Sequence, residues 1–147
     1  MTDTAASPVS IRVFDFDSDY QAVYQLWGNA GPGIHLRRSD EPEEIRKKLL
    51  RDPDLFLLAE SEGRLVGSVL GGFDGRRGIV YHLAVAPDCR QRGVGSLLME
   101  ALEERLRARG CIRSYLLVTT DNQEAMRFYE GRGWQRMQLY AYGKDLD

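Results

Sequence analysis

The chain has 147 residues, of which 43% are hydrophobic and 29% charged, as expected for one globular domain. Its 20 lysines and arginines are balanced by 22 aspartates and glutamates, and the net charge of -2 offers no basic surface to a nucleic-acid backbone. No apolar run approaches the roughly 20 residues that a membrane-spanning helix needs, which excludes an integral membrane protein.

The first residues, MTDTAASPVS, lack the basic and apolar regions of a signal peptide. The only two cysteines, Cys89 and Cys111, fit a reducing compartment better than a disulfide framework. We therefore expect a cytoplasmic protein with a loose tail over residues 1–9 and a single domain over residues 10–147.

Apolar spacing in the first part of the chain predicts a strand, a helix, a mobile loop and a second helix, over residues 11–14, 17–27, 29–40 and 41–50. Ser18 is the expected cap of the first helix. Gly31, Pro32 and Gly33 interrupt the helical pattern, and Pro42 occupies the first turn of the next helix.

Three antiparallel strands are predicted next, over residues 55–60, 64–73 and 78–86. They are followed by a helix over 93–109, a strand over 111–118, a helix over 122–132 and a final strand region over the remainder. Gly63 marks a hairpin turn, and Gly110 ends the longest helix. The order β-α-α-β-β-β-α-β-α-β predicts an α/β fold of the mixed α+β type, a central mostly antiparallel sheet covered by helices.

A loop with two arginines and two glycines lies between a central strand and the longest helix. Its residues are Arg90, Gln91, Arg92, Gly93, Val94, Gly95 and Ser96. Amides at a helix start and the helix dipole favour an anion there, and glycines let a pyrophosphate approach the main chain. A plain helix-start turn is the alternative. A Rossmann loop fits less well because Leu98 stands where its third glycine would be.

Two motifs in this region resemble those of the GCN5-related N-acetyltransferase (GNAT) family. The first, Arg/Gln-x-x-Gly-x-Gly/Ala, is matched by Arg90, Gly93 and Gly95, after a central strand that ends in LAVAP. The second is matched by Asn122, Ala125, Tyr129, Gly133 and Trp134. The sequence GGFDGRRG over residues 71–78 is also similar to the YpeA branch of the family.

This resemblance implies a GNAT-like fold and acetyl-CoA as cosubstrate, without a metal. It implies that the backbone of Leu83 and Val85 pairs with the pantetheine arm, and that the amides of residues 91–96 cradle the pyrophosphate. It further implies that Asn122 contacts the cofactor arm and that Tyr129 lies beside the thioester sulfur. Few residues follow the second motif, so the closing hairpin of the family is expected to be shortened.

The implied reaction is direct transfer of the acetyl group to a primary amine of a small molecule or peptide. Such an amine is mostly protonated at neutral pH, so a base has to accept a proton, and the leaving thiolate benefits from a donor. Tyr129 is the candidate donor, with core packing beside Phe128 and Trp134 as its alternative. A non-catalytic acyl-CoA-binding sensor is the second hypothesis, and a homodimer through the last strand is left open.

Members of the family often carry Glu or His at the positions of Ile79 and Tyr81, so Tyr81 is expected at most to hold a water that relays the proton. Strict alternation along the strand places both of these residues with Leu83 and Val85 on one face, and His82 and Ala84 on the other. His82 is therefore interpreted as a core histidine with a satisfied hydrogen bond rather than as the base.

Three further residues with reactive side chains receive structural interpretations. His35 is expected to be a solvated loop residue, and Asp74 to form a turn. Cys89 flanks the proposed cofactor loop without an evident histidine partner, which favours direct transfer over an acetylated cysteine.

Overall fold

One five-stranded sheet is the framework of the computed structural model, which describes residues 8–31 and 33–147. Its strands are β1 (Ser10–Val13), β2 (Phe56–Ser61), β3 (Arg64–Phe73), β4 (Gly78–Val85) and β5 (Ser114–Leu116), and they lie side by side in chain order. The first three pairings are antiparallel, whereas β5 is parallel to β4. The mixed, mostly antiparallel sheet is confirmed. Residues 1–7 of the expected tail and Pro32 of the expected loop lie outside the described residues.

The helices begin at residues that supply caps or suitable backbone geometry. They are α1 (Phe16–Gly28), α2 (Pro42–Arg51), α3 (Val94–Ala108) and α4 (Gln123–Gly131), with short 3-10 turns at Arg38–Asp40 and Pro87–Cys89. The prediction that Ser18 caps α1 is wrong. Asp15 is the cap, and its carboxylate accepts the Ser18 N–H at 3.2 Å, because the cap must precede the first helical residue.

The end of α3 explains why the next strand is shorter than predicted. Gly110 adopts a φ of +88°, its N–H donates to the carbonyl of Arg107, and the N–H of Cys111 donates to the carbonyl of Leu106. These two hydrogen bonds form a Schellman motif, so Cys111 still belongs to the helix cap. Only Ser114–Leu116 pairs as a strand, in place of the predicted residues 111–118.

Two glycines of β3 allow α3 to pack closely on the sheet. A Cβ at Gly71 would lie 2.5 Å from Leu102 Cδ1, and one at Gly67 would lie 2.9 Å from Val94 Cγ1. Leu98 and Leu102 are fully buried at this contact. Close packing between β3 and α3 therefore determines where the first turn of α3 lies relative to the strands.

A β-bulge in β4 reverses the side-chain alternation expected from the sequence. Tyr81 is paired with Leu70 but Ala84 is paired with Ser68, so two residues, 82 and 83, stand opposite one residue of β3. His82, with a φ of +40°, lies in this bulge. Because directly paired residues share a face of the sheet, Tyr81 and Ala84 lie on the same face, and the prediction that they lie on opposite faces is wrong.

The chain divides into two compact units, one ending at Leu117 and the other beginning at Val118. The second unit contains α4, as predicted, but residues 132–147 form neither helix nor strand. The expected last strand is therefore absent, and Leu139, Tyr140 and Tyr142 of this segment are exposed. A short edge strand such as β5 offers few backbone groups for further pairing. The single domain expected over residues 10–147 stays a prediction.

Candidate active site

The loop between β4 and α3 carries the backbone amides of residues 91–96, called here the amide row. Gln91 and Gly93 have φ values of 64° and 80°, in the left-handed region, on either side of Arg92. Gly93 is the N-cap of α3 and brings no side chain to accept the first helical N–H groups. The amides of the first helical turn at residues 94–96 are therefore available to an anion, assisted by the helix dipole.

The two arginines of this loop differ in their surroundings. Arg90 donates from Nε to the carbonyl of Val85 at 3.4 Å and from Nη2 to the carbonyl of Ala30. It thus connects the end of β4 to the segment that follows α1. Both arginines are exposed, but the guanidinium of Arg90 is engaged in these two hydrogen bonds, which leaves Arg92 as the candidate cation for a phosphate.

One edge of β4 is open beside this loop. β5 pairs only with Gly78, Ile79 and Val80, so the stretch from Tyr81 to Val85 has no strand partner on that edge within the described residues. The predicted pairing residues Leu83 and Val85 lie in this stretch and are half-buried. Unpaired strand amides and carbonyls can bind an extended chain that carries amide groups, as a further strand would.

Tyr81 begins the open stretch and is 43% exposed. Partial desolvation, together with the negative charge of Asp52, raises the pKa of the Tyr81 phenol above its ordinary value of 10.0. The phenol is therefore protonated at neutral pH. It can hold a water molecule by donating a hydrogen bond, but it cannot act as a strong base.

His82 has a carboxylate partner that the sequence did not reveal. Its Nε2 lies 2.8 Å from Oδ1 of Asp40, and its ring packs edge-on against Trp27 with a centroid distance of 4.8 Å. The predicted hydrogen bond of His82 is confirmed at one ring nitrogen, but its side chain is 19% exposed and is not part of the fully buried core. Strict alternation cannot assign His82 to a face of the sheet, because His82 itself lies in the bulge.

Asp40 is held from several sides in the 3-10 turn before α2. Only 4% of the residue is exposed, and its Oδ2 accepts the Arg37 N–H at 2.9 Å. The hydroxyl of Tyr20 donates to the main-chain carbonyl of Asp40 at 2.8 Å. This carboxylate is a rigid acceptor for the His82 ring, and no sequence motif pointed to it.

In the second unit, α4 carries the two remaining predicted site residues. Asn122 is the N-cap of α4, and its Oδ1 accepts the Ala125 N–H at 3.1 Å, which leaves its side-chain amide NH₂ as donor. Tyr129 packs edge-on against Phe128 and Trp134, with centroid distances of 5.2 and 6.2 Å. Desolvation raises the pKa of Tyr129 to about 12, so its phenol is a persistent hydrogen-bond donor.

Comparisons with known proteins identify the family of this chain. Residues 20–134 match the acetyltransferase (GNAT) family. The chain belongs to the GNAT family. Acetyltransferase ECA0875 of Pectobacterium atrosepticum is 43% identical to this GNAT protein over 139 residues, covering 94% of this chain and 96% of that protein.

Solved GNAT structures share the fold. Ard1 from Thermoplasma volcanium has a TM-score of 0.74 and 28% identity, over 85% of this chain and 81% of that chain. The PaiA N-acetyltransferase of Thermoplasma acidophilum, solved in complex with coenzyme A, has a TM-score of 0.77 and 17% identity, over 90% of this chain and 93% of that one. The resemblance inferred from the two sequence motifs is therefore confirmed, and the chain is a GNAT acetyltransferase.

Three other reactive side chains of this GNAT protein have the structural surroundings that the sequence indicated. Cys89 is 5% exposed, and its sulfur accepts a hydrogen bond from Arg64 at 3.6 Å. Asp74 accepts the N–H groups of residues 76 and 77, each at 2.7 Å, and these bonds lower its pKa. His35 is exposed in the segment between α1 and α2.

Among the described residues of this GNAT chain, no helix has both the length and the apolar character required to cross a bilayer. The same part of the chain contains no group of three His, Cys, Asp or Glu side chains arranged to hold a metal ion.

Proposed function

We propose that this GNAT protein transfers the acetyl group of acetyl-CoA directly to a primary amine of a small molecule or a peptide. The observation that carries this proposal is the juxtaposition, in one unit, of an open β4 edge and the amide row that begins α3. An ADP-like pyrophosphate fits the amide row, and the amide groups of a pantetheine arm fit the strand edge. The complex of PaiA with coenzyme A supports the same cosubstrate.

Both main-chain and side-chain groups are proposed to hold the cofactor. The backbone of Leu83 and Val85 would pair with the arm, whereas the amides from Gln91 to Ser96 would receive the pyrophosphate, with Arg92 adding a positive charge. Arg90 would support this site by joining Val85 to Ala30. Asn122 has its side-chain NH₂ available for the cofactor arm, the role that the family resemblance implies for it.

Acetyl-CoA supplies the acetyl group as a thioester, which reacts with a neutral amine. Direct attack is favoured over an acetylated cysteine because Cys89 is buried, which hinders access of a thioester to its sulfur. Tyr129 is the proposed donor to the leaving sulfur. A phenol with a pKa of about 12 stabilises a thiolate mainly by hydrogen bonding, because a thiol with an ordinary pKa of about 8.5 is the stronger acid.

The location of the protein and the charge of its acceptors are also part of the proposal. We place the protein in the cytoplasm because both cysteines, Cys89 and Cys111, are free and because acetyl-CoA is its expected cosubstrate. The net charge of -2 suits cationic acceptors such as alkylamines and peptide N-termini.

A non-catalytic acyl-CoA-binding sensor is the second candidate. It is favoured by the absence of a carboxylate or imidazole at Ile79 and Tyr81, where relatives often carry a base. A protein of this kind would bind acetyl-CoA through the same loop and strand edge but would transfer nothing.

Incubation with acetyl-CoA and a panel of small amines and peptides with free N-termini separates the two candidates. The enzyme hypothesis predicts acetyl-CoA-dependent release of free thiol, together with a mass gain of one acetyl group on at least one acceptor. N-terminally blocked versions of lysine-free peptides have no primary amine; they are the matched controls and should gain nothing. Tight binding of acetyl-CoA without transfer to any amine would favour the sensor.

A further inference from the structure

The backbone of His82 lies at the beginning of the open β4 edge. The bulge places it between Tyr81 and Leu83, within the stretch that has no partner on the β5 side in the described chain. Its side chain lies on the α1 side of the sheet, as shown by the ring contact with Trp27 and the hydrogen bond to Asp40. His82 is thus three residues from Val85, the proposed start of the cofactor arm on the strand.

Asp40 selects which nitrogen of the His82 ring carries the proton. A carboxylate can only accept, so Oδ1 at 2.8 Å from Nε2 assigns a hydrogen to Nε2. In the neutral ring, Nδ1 then holds the lone pair. No residue of the described chain forms a hydrogen bond with Nδ1, and the His82 side chain is 19% exposed, so this nitrogen is accessible to a small partner.

Several ionisable groups surround the His82 ring. The Asp40 carboxylate is bonded to it, the phenol of Tyr81 is its neighbour on the same strand, and Tyr20 is bonded to the Asp40 carbonyl. Glu41 follows Asp40 and adds a second negative charge to this region. A buried carboxylate hydrogen-bonded to an imidazole stabilises the imidazolium and orients the ring.

We propose that His82 is the general base of the transfer and that Asp40 is its positioning residue. Nδ1 takes one proton from the ammonium group of the acceptor, and the freed lone pair forms the C–N bond with the thioester carbonyl carbon. The C–S bond then breaks, its electron pair leaves on sulfur, and a second amine proton leaves with that sulfur as the thiol. The third hydrogen stays on the amide product, and His82 returns its proton to water. This inference rests on the proposed acetyltransferase activity.

The first variant is His82→Asn, because asparagine tolerates the left-handed backbone of the bulge. We expect the turnover of an amine acceptor to fall about 10²- to 10⁴-fold, the usual contribution of a general base. We also expect the rate–pH profile to lose the inflection that an imidazole base contributes, and acetyl-CoA affinity to be unchanged. His35→Asn, at the exposed histidine, is the matched control and should keep the profile of the unmodified protein.

The second variant, Asp40→Asn, distinguishes positioning from simple structural support. Removal of the carboxylate charge disfavours the imidazolium, so the inflection of the rate–pH profile should move to lower pH while part of the turnover remains. A loss of stability alone would lower the amount of active protein without moving the inflection.

These measurements separate the inference from the function on which it depends. If the unmodified protein acetylates an amine and His82→Asn keeps both its rate and its inflection, the role of His82 is refuted while the acetyltransferase proposal stands. An inflection unchanged in Asp40→Asn would refute the role of Asp40. If the unmodified protein binds acetyl-CoA but acetylates no amine, the proposed activity fails and the inference falls with it.

Discussion

Gly67 of β3 lies directly beneath Val94, the first residue of α3, and a Cβ at Gly67 would approach Val94 Cγ1 to 2.9 Å. The same Cβ would lie 3.1 Å from the main-chain oxygen of Ala84, which cannot rotate away. Because Gly67 has no side chain, the start of α3 can pack directly on the centre of the sheet. This contact supports the amide row that is proposed to bind the pyrophosphate.

Gly67→Ala should consequently affect both stability and cofactor binding. Overpacking at a fully packed contact typically costs about 1–3 kcal/mol of unfolding free energy, and a shift of the first turn of α3 should weaken acetyl-CoA binding. Chemical unfolding and isothermal titration measure the two effects. Gly28→Ala, where an added Cβ meets nothing within 4 Å, is the control and should bind normally. Unchanged stability and affinity in Gly67→Ala would contradict the close packing.

A second pair of glycines tests the shape of the cofactor loop. Gly93 and Gly63 both have positive φ, 80° and 73°, and neither would bring an added Cβ within 4 Å of another atom. Alanine at either position should cost roughly 1–2 kcal/mol of backbone strain. Only Gly93→Ala should also weaken acetyl-CoA binding, by about tenfold if a comparable energy is lost on binding. Equal affinities of the two variants in isothermal titration would contradict the loop assignment.

Helix α3 could be predicted from the sequence, whereas the bulge of β4 could not. Apolar periodicity and Gly110 predict α3, and the glycine spacing predicts its anion-binding start, because these signals are local. The bulge is not local, since the pairing of β4 with β3 and the partners of His82 determine the backbone there. Asp40 lies 42 residues before His82 in the chain, and no periodic pattern relates residues so distant.

Chain ends and caps were the other elements that local pattern did not determine. The remainder of the chain after α4 was predicted as a final strand region, but a strand forms only where a neighbouring edge supplies hydrogen bonds, and residues 132–147 form no strand. Similarly, Ser18 and Asp15 are both good capping residues. The beginning of α1 at Phe16 decides between them.

Tyr129→Phe tests the proposed donor to the leaving sulfur. The phenyl ring preserves the packing against Phe128 and Trp134, so acetyl-CoA affinity should be retained while turnover of an amine acceptor falls about 10²-fold. Steady-state kinetics with the best acceptor of the panel measures this. Tyr140→Phe, at a residue 92% exposed in the same unit, is the control. Turnover equal to that of the unmodified protein would exclude Tyr129 as the donor.

The ion pair of Asp19 predicts a pH-dependent stability. Both Asp19 oxygens accept hydrogen bonds from Arg12, at 2.7 and 2.8 Å, and Oδ2 also accepts the Asp15 N–H. Chiefly through the Arg12 bonds, the pKa of Asp19 is held below its ordinary value of 3.8. Its contribution to stability is therefore present above that value and is lost as the pH falls through the lower folded-state pKa.

Asp19→Asn should lower the unfolding free energy at neutral pH by about 1–3 kcal/mol, the range for hydrogen bonds to charged groups. The difference from the unmodified protein should begin to shrink below about pH 4, where the carboxylate of the unfolded chain becomes protonated, and should disappear below the lower folded-state pKa. Urea unfolding at a series of pH values measures it. Asp17→Asn is the control, because Asp17 is exposed and lies 3.9 Å from its partner Arg46. A difference independent of pH would exclude the charge of Asp19 as its cause.

The most direct test of the central claim is a crystal structure of the protein with acetyl-CoA. We expect pyrophosphate oxygens within about 3.2 Å of the amide nitrogens of Val94, Gly95 and Ser96, the usual limit for such hydrogen bonds, and the arm along the open edge of β4. A structure with acetyl-CoA bound elsewhere, and no phosphate oxygen in contact with the first turn of α3, would contradict it.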